Sequence, residues 1–172
     1  MKLKVNANLD SKHLQKTFVL QQDQSDCGVA CLLSLIKYYQ GSNTLEKLRE
    51  LSGTNKQGTT LLGLYQASNT LGFNAQGNEA DIQALINHKA PLILHVVIEE
   101  RLQHYLVCYG YENNTFIIGD PAKGIAYYSK EDLEIIWKSK TCLTLTPNEN
   151  FKKSEVLKSD KKQRFLSLLK VN

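Results

Sequence analysis

The sequence predicts one α+β domain in which three helices precede a mainly antiparallel sheet. First, apolar residues recur at helical spacing in three segments of the N-terminal half. Second, the C-terminal half contains short apolar and β-branched runs separated by turn residues. Third, 172 residues with 42% hydrophobic content suffice for one core and are too few for two.

The first helix is predicted to begin at Cys27. Before it, the segment TFVLQ has the character of a short strand or extended stretch that ends at Gln21. Apolar residues then recur at helical spacing after Cys27, with Ser25 or Asp26 as N-cap and Gly41 just past the end. We expect this helix to lie at the centre of the domain.

Two shorter helices follow. LEKLREL has Asn43 as its predicted N-cap and stops at Gly53. The next helix starts at Thr59 or Thr60, carries a stripe of apolar residues and ends at Gly72.

The remaining chain is predicted to be mostly β. Two further short helices are expected, one around ADIQALI and one from Ser129 to Lys138. The residues Glu112, Asn113 and Asn114 are typical of a hairpin turn. The predicted strands are FNAQ, PLILHVVI, HYLVCYGY, TFIIGD, IAYYS and TCLTL.

The predicted domain boundaries follow from changes in composition. Residues 1–14 are polar and are expected to form a loose lead-in, and residues 15–147 form the domain. Residues 148–172 are rich in lysine, end in the amphipathic RFLSLLKV, and are predicted to be a basic linker toward a domain that this chain lacks.

The charge and the hydropathy pattern exclude several classes of protein. A formal net charge of +4, scattered over 21 basic and 17 acidic residues, is too mild for a nucleic-acid groove. The N-terminus lacks the apolar run that a signal peptide contains. The longest apolar stretch of the sequence is far shorter than the ~20 residues that a membrane span requires. The sequence therefore predicts a soluble chain without a nucleic-acid partner.

The four cysteines are expected to be reduced thiols, because nothing indicates export. A metal site would have to combine Cys27, Cys31, His104 and Cys108. Along one strand, His104 and Cys108 would lie about 13 Å apart, too far to bind one ion. No metal and no cofactor are expected in this chain.

The segment QQDQSDCGVACL carries the first candidate for chemistry. The N-terminus of a helix stabilises a thiolate, as does a nearby imidazolium, and Cys27 is placed for both. Gly28 costs ~1 kcal/mol relative to alanine inside a helix, which indicates close approach of a substrate backbone. The amide of Gln21 would join the Cys27 N–H in stabilising a tetrahedral oxyanion.

The predicted hairpin brings the other two candidates together. His104 and Asp120 each lie eight residues from Glu112, so both fall at the open end of two paired strands. The carboxylate would orient the ring, and the ring would exchange a proton with Cys27. Each residue alone is more often structural; jointly they favour a cysteine peptidase.

The other thiols and imidazoles are assigned no chemistry. Gly53 to Thr60 has the glycine spacing of a phosphate-binding loop, but Thr59 stands where the lysine is required, so nucleotide binding is not expected. The cysteines that fall on apolar patterns, and the histidines expected to be structural, are Cys31, Cys108, Cys142, His13, His88 and His95.

At these residues the chain resembles the bacteriocin-processing cysteine peptidase domain at the N-terminus of peptidase-containing ABC transporters. The resemblance covers roughly residues 15–146, and one departure is Val96, where the family often has tryptophan. The matching motifs are Gln21, Asp26-Cys27-Gly28, Tyr38-Tyr39-Gln40-Gly41, LREL, GTTLLGLYQASNTLGF, the histidine opening HYLVCYGY, and GDPAKG.

The resemblance implies a papain-like fold, with a helical subdomain packed on an antiparallel sheet. It implies cleavage of a leader peptide after a Gly-Gly or Gly-Ala pair, at the cytoplasmic face of the bacterial inner membrane, coupled to export by the transporter. Cys27 would be the nucleophile, His104 the base, Asp120 its orienter and Gln21 the oxyanion donor. ATP would bind only in the absent nucleotide-binding domain.

Substrate contacts are expected at a narrow channel and at an apolar groove. A channel that admits only residues without side chains would select the glycines, and leader leucines would dock in the groove. Besides Gly28, the candidates for substrate contact are Leu61 and Tyr65 on the third helix.

Two alternatives remain at the level of the sequence. One is a catalytically silent peptidase-like module that binds an export substrate and delivers it to its transporter. The other is a cysteine hydrolase or acyltransferase that acts on cell-wall or small amide substrates, which would need only the same triad.

Overall fold

The structure is a computed structural model that describes residues 10–154. In this range the helices are α1 (Ser11–Thr17), α2 (Cys27–Tyr38), α3 (Leu45–Ser52), α4 (Leu61–Thr70), α5 (Ile82–Asn87) and α6 (Lys130–Ile136). The strands are β1 (Phe73–Glu79), β2 (Leu92–Ile98), β3 (Leu102–Glu112), β4 (Thr115–Asp120), β5 (Gly124–Tyr128) and β6 (Thr141–Pro147). The predicted α+β layout and all six predicted strands are confirmed.

Helix α1 was not predicted. Its sequence, SKHLQKT, has a single large apolar residue, so it shows no helical periodicity. The side chain of Asp10 caps the helix by accepting the Lys12 N–H at 3.0 Å, and Leu14 is buried in the core. The interpretation of residues 1–14 as a loose lead-in is therefore wrong for residues 11–14, which belong to α1; residues 1–9 lie outside the described range.

Helix α2 is the centre of the fold, as predicted. Ten of its twelve residues are buried. The helix packs against the sheet and against helices α1, α3 and α4. Apolar surface on all sides is typical of a helix enclosed by other elements. The segment TFVLQ, predicted as a short strand or extended stretch, begins with the last residue of α1, and its residues 18–21 form no strand.

The caps of the next two helices largely follow the sequence. Thr44, not Asn43, caps α3 by accepting the Lys47 N–H, and Gly53 ends that helix with φ +65°. Thr60 caps α4 by accepting the Gly63 N–H at 3.0 Å, as predicted.

The six strands form one antiparallel sheet in the order β1-β6-β2-β3-β4-β5. The β3–β4 hairpin turns at Asn113 and Asn114, which both have positive φ, as a two-residue turn of the favoured hand requires. A register shift between Cys108 and Gly110 lengthens β3 relative to β4. The predicted hairpin is confirmed, with this bulge as an addition.

Both faces of the sheet are covered. Helices α1 to α4 pack on one face around a core that includes Leu32, Leu35 and Tyr109. On the other face, α5 and α6 contribute Leu85 and Leu133 to a second apolar cluster. Burial on both faces explains why PLILHVVI is apolar throughout and does not alternate.

The chain after β6 returns to the helical side. Phe151 packs against Phe73 with ring centroids 4.7 Å apart, and the Ser154 N–H donates to the Gln40 carbonyl at 2.8 Å. The predicted linker therefore begins with a packed stretch, residues 148–154, and the rest of it lies outside the described residues. No helix within residues 10–154 is long and apolar enough to cross a membrane.

Candidate active site

Cys27 is the first residue of α2, and Asp26 stands at the N-cap position. A single 3₁₀ turn, Gln24–Asp26, leads into the helix. Cys27 is 6% exposed and lines a cleft of about 420 Å³. The predicted position of Cys27 at the start of a helix is confirmed.

His104 and Asp120 meet at the base of the β3–β4 hairpin, as predicted. The His104 Nε2 and the Asp120 Oδ1 are 2.8 Å apart, and the two residues are 4% and 1% exposed. The same Oδ1 atom accepts the Ala122 N–H at 2.9 Å in the turn that leads to β5. The carboxylate therefore holds the ring from one side while the turn holds the carboxylate.

The pKa values of the two side chains move in opposite directions. Burial lowers the pKa of His104, but hydrogen bonds with Asp120 and Cys27 outweigh it and raise that pKa to about 9. Burial raises the pKa of Asp120, yet the His104 and Ala122 hydrogen bonds bring it below its ordinary value. The geometry favours an imidazolium–carboxylate pair.

The Cys27 side chain is close enough to the His104 ring to raise the pKa of that ring. Because Nε2 faces Asp120, Nδ1 is the ring nitrogen left for the thiol. Cysteine, imidazole and carboxylate thus form one connected line from the cleft into the interior.

Gln21 approaches from the extended segment before α2. Its backbone N–H donates to the Pro121 carbonyl at 2.9 Å, which ties it to the residue after Asp120. A Cβ on Gly119 would lie 2.5 Å from the Phe18 ring, so the glycine allows the segment to pass close to β4. One carboxamide atom of Gln21, placed as Oε1, is buried and has no hydrogen-bond partner within residues 10–154.

The cleft has two walls. One is the loop 56–60, the segment with the glycine spacing of a phosphate-binding loop. The hydroxyl of Thr54, just before this loop, lies 2.6 Å from the hydroxyl of Thr59 within it, and Gly58 adopts φ +106°. Hydroxyl contacts and a tight turn therefore explain the glycines and threonines of the segment.

The opposite wall consists of residues from β2 and β3, among them His95 and Tyr105. The His95 ring packs against the Tyr105 ring with centroids 5.3 Å apart, and its Nδ1 lies 3.3 Å from Ser139 Oγ. The sequence alone did not indicate that His95 borders the site. The register of β2 against β3, which pairs His95 with Tyr105, is the signal that brings it there.

The three residues predicted to contact substrate have different surroundings. A Cβ on Gly28 would lie 3.2 Å from the Thr59 Cβ and from the Tyr105 ring, so a packing reason for this glycine is visible. Leu61 is half-buried and packs on the core, whereas Tyr65 is 40% exposed. None of the three borders the cleft that Cys27 lines.

The remaining thiols are core residues, as predicted. Cys31, Cys108 and Cys142 are at most 3% exposed, and all four cysteines are unpaired. Burial raises the pKa of the Cys108 thiol to about 12. Within the described range, no group of three or more histidine, cysteine or acidic side chains is arranged to hold a metal ion.

Curated transporters are similar to this chain in sequence. It is 39% identical over 123 residues to the lactococcin-G-processing and transport ATP-binding protein LagD of Lactococcus lactis, covering 67% of this chain and 18% of LagD. It is 32% identical over 164 residues to the mesentericin-Y105 transport/processing ATP-binding protein MesD of Leuconostoc mesenteroides, covering 92% of this chain and 22% of MesD. The chain therefore spans about a fifth of the length of these relatives.

Solved peptidase domains share its fold. The crystal structure of the peptidase domain of Streptococcus ComA, a bi-functional ABC transporter, is 42% identical, with a TM-score of 0.70, 76% of this chain covered and 97% of that domain. A double glycine motif protease from an AMS/PCAT transporter, solved in complex with the leader peptide, is 26% identical, with a TM-score of 0.69 and coverages of 76% and 90%. The predicted papain-like fold is confirmed.

The Peptidase C39 family model matches residues 15–150, which is most of the chain and contains Cys27, His104 and Asp120. This match confirms the resemblance to the peptidase domains of processing transporters and the assignment to the cysteine peptidases. The chain belongs to the Peptidase C39 family.

Proposed function

We propose that this chain cleaves the leader peptide of a bacteriocin-like or other secreted precursor peptide after a double-glycine-type motif, and that cleavage is coupled to export by an ABC transporter. The observation that carries the proposal is the line formed by Cys27, His104 and Asp120, which starts in an open cleft and ends in a buried ion pair. The family match and the printed names of the relatives support the substrate class.

Each side chain has a defined task in the proposed reaction. The Cys27 thiolate attacks the carbonyl carbon of the second glycine, and a C–S bond forms while the carbonyl π pair moves to oxygen. The Gln21 amide and the Cys27 N–H donate to this oxyanion. His104 protonates the leaving amine as the C–N bond breaks. It then takes a proton from the water that attacks the thioester, and the C–S bond breaks to release the leader acid and the Cys27 thiolate. Asp120 keeps the ring oriented throughout.

Substrate selection is proposed to rest on the size of the channel and on an apolar docking surface. Glycines present no side chain to the cleft walls at Thr59 and Tyr105, which approach α2 closely at Gly28. Because Leu61 packs inward, the apolar side chains that α4 exposes are Leu62 and Tyr65. We propose this exposed pair, together with the cleft, as contacts of the leader.

The proposed partners are the transmembrane and ATPase domains of the same transporter. The chain spans only 18% of LagD and 22% of MesD, whose names describe transport as well as processing. The proposed location is the cytoplasmic face of the bacterial inner membrane. ATP is expected to bind in the nucleotide-binding domain and not to residues of this chain.

Mass spectrometry of a leader peptide extended by Gly-Gly and a short cargo tests the proposal. After incubation with the chain under reducing conditions, we expect cleavage directly after the second glycine, and none with Cys27→Ala. Saturable binding of the leader by both proteins without cleavage would instead establish the silent delivery module. Cleavage of small amides but not of the leader would favour the general amide hydrolase.

A further inference from the structure

A buried carboxylate lies directly before the nucleophile. Asp26 is the residue before Cys27, and its side chain is fully buried. Arg49 on α3 contacts it through two parallel hydrogen bonds, from Nε to Oδ1 at 2.7 Å and from Nη2 to Oδ2 at 2.6 Å. This bidentate arrangement is the strong and directional form of the arginine–carboxylate contact.

Arg49 also reaches the rest of the segment before α2. Its Nη2 lies 3.4 Å from the Gln22 Oε1 and 3.9 Å from the Asp23 Oδ2. The Asp26 Oδ2 in turn accepts the Asp23 N–H at 3.0 Å and closes the turn. One guanidinium from another helix thus holds three side chains within residues 21–27.

The same segment carries both groups assigned to the oxyanion. The Gln21 amide stands at its start and the Cys27 N–H at its end. Its start is also tied to Pro121 through the Gln21 N–H. The position of one donor relative to the other therefore depends on the turn that Asp26 and Arg49 hold.

We propose that Arg49 is a positioning residue of the peptidase: by clamping Asp26 it fixes the distance and orientation between the two oxyanion donors, Gln21 and Cys27. This inference rests on the proposed function, and it assigns Arg49 no contact with the substrate. Since misplacement of a catalytic group by about 1 Å can cost ~10²-fold in rate, a small change in the clamp is expected to have a large effect.

The chemistry of Arg49 gives the discriminating variant. Arg49→Lys keeps one positive charge beside the Asp26 carboxylate but cannot form two parallel hydrogen bonds. The electrostatic environment of the Cys27 thiol is thereby largely kept while the geometry of the turn is loosened. The charged and titratable groups around that thiol include Asp26 and Arg49 on the α2–α3 side, Cys31 on α2, His104 and Tyr105 on β3, Asp120 on β4, and Lys56 and His95 across the cleft.

The test compares two reactions of Cys27. A peptide ending in Gly-glycinal, an aldehyde, accepts the thiolate at its carbonyl carbon, and its oxygen becomes an oxyanion. Iodoacetamide alkylates the Cys27 sulfur: a C–S bond forms as iodide leaves, and no oxyanion develops. In Arg49→Lys we expect the affinity for the aldehyde to fall at least about tenfold, and the alkylation rate to stay within about twofold of wild type.

A matched control lies on the same helix. Glu50 forms an exposed ion pair with Lys47 at 2.8 Å. The substitution Glu50→Gln therefore removes an ion pair of α3 that does not involve Arg49. We expect both reactions to remain unchanged in this variant. If Arg49→Lys melts below the assay temperature, Asp26→Asn replaces it, because that variant removes the bidentate contact from the other side. It also removes a negative charge beside Cys27, so we expect the affinity for the aldehyde to fall while the alkylation rate does not fall.

The possible outcomes distinguish a failure of the positioning role of Arg49 from a failure of the proposed peptidase function. Wild-type aldehyde affinity in folded Arg49→Lys, or in folded Asp26→Asn, would overturn the positioning role. An equal loss in both reactions would also overturn it, because Arg49 would then act on the thiolate and not on the oxyanion donors. Failure of the wild-type chain itself to bind the aldehyde would instead contradict the proposed function.

Discussion

The Nε2 of His104 lies 2.8 Å from the Oδ1 of Asp120, and the second carboxylate oxygen, Oδ2, is buried without a hydrogen-bond partner among residues 10–154. The Asp120 side chain is thus held through one oxygen, which the His104 ring and the Ala122 N–H share. A buried carboxylate with so few partners depends strongly on the charge of the imidazole. The ion pair between Asp120 and His104 and the orientation of the His104 ring therefore depend on each other.

We expect Asp120→Asn to lower kcat/KM for the leader peptide by at least about 10²-fold. The amide has the same shape but no charge, so it neither favours the imidazolium nor selects the correct ring tautomer. Steady-state cleavage, followed by chromatography of the released leader, measures the effect. Glu134→Gln, on an exposed residue of α6, is the matched control, and an equal loss in both variants would rule out a specific role for Asp120.

The pH dependence of cleavage is predicted from His104. Burial alone would lower its pKa, but the contacts with Asp120 and Cys27 raise the pKa from 6.5 to about 9. The imidazolium is therefore expected to persist through neutral pH, and kcat/KM should fall as the pH rises through about 9.

The same pKa shift predicts a change in stability. Because the folded-state pKa lies above the unfolded value, the stabilisation from the charged ring is fully present below pH 6.5 and is lost as the pH rises through about 9. Cleavage rates and urea midpoints measured between pH 5 and 10 test both statements. An alkaline fall in kcat/KM centred near 6.5 would contradict the raised pKa.

Gln21→Ala is expected to remove one oxyanion donor and to lower kcat by about 10²- to 10³-fold. Alkylation of Cys27 by iodoacetamide should be unchanged, because that reaction develops no charge on a carbonyl oxygen. Gln76→Ala, on an exposed residue of β1, is the control for loss of a glutamine. A parallel fall in alkylation would indicate that Gln21 supports the thiol and not the oxyanion.

Gly28→Ala tests whether packing explains this glycine. The new Cβ would lie 3.2 Å from the Thr59 Cβ and the Tyr105 ring, and 3.3 Å from Leu64. Overpacking of this kind costs about 1–3 kcal/mol, whereas the better helix propensity of alanine returns ~1 kcal/mol. We expect a net loss of about 1 kcal/mol in the free energy of unfolding, measured with urea.

The control for Gly28→Ala is Gly77→Ala on β1. A Cβ there would meet only the Leu61 side chain at an ordinary distance of 3.9 Å. Its stability should be unchanged or higher. If Gly28→Ala is as stable as the control and loses activity, close approach of the substrate is the better reason for the glycine.

The sequence predicts the site well where local signals coincide with the fold. The stripe of apolar residues after Cys27 and the asparagines at 113 and 114 are local features, and each determines its own element. His104 and Asp120 follow from the hairpin turn, even though the bulge near Tyr109 shifts their register by one residue. The bulge does not separate them, because both lie beyond it at the open end.

Other features depend on contacts that no local pattern reveals. Helix α1 has one buried leucine, so its position follows from packing on α2 and not from its own periodicity. His95 borders the cleft only because β2 pairs with β3 in one particular register. Arg49 reads as an ordinary exposed residue of a short amphipathic helix until the fold brings it to Asp26.

The most direct test of the central claim is the mass of the chain when the reaction is stopped during its first turnover. The chain is mixed with excess leader-Gly-Gly-cargo peptide, quenched in acid and digested to locate any adduct. We predict a thioester between the leader and the Cys27 sulfur, absent in Cys27→Ala. Cleavage that persists in Cys27→Ala, or an adduct on Cys31, Cys108 or Cys142, would contradict the assignment of Cys27 as the nucleophile.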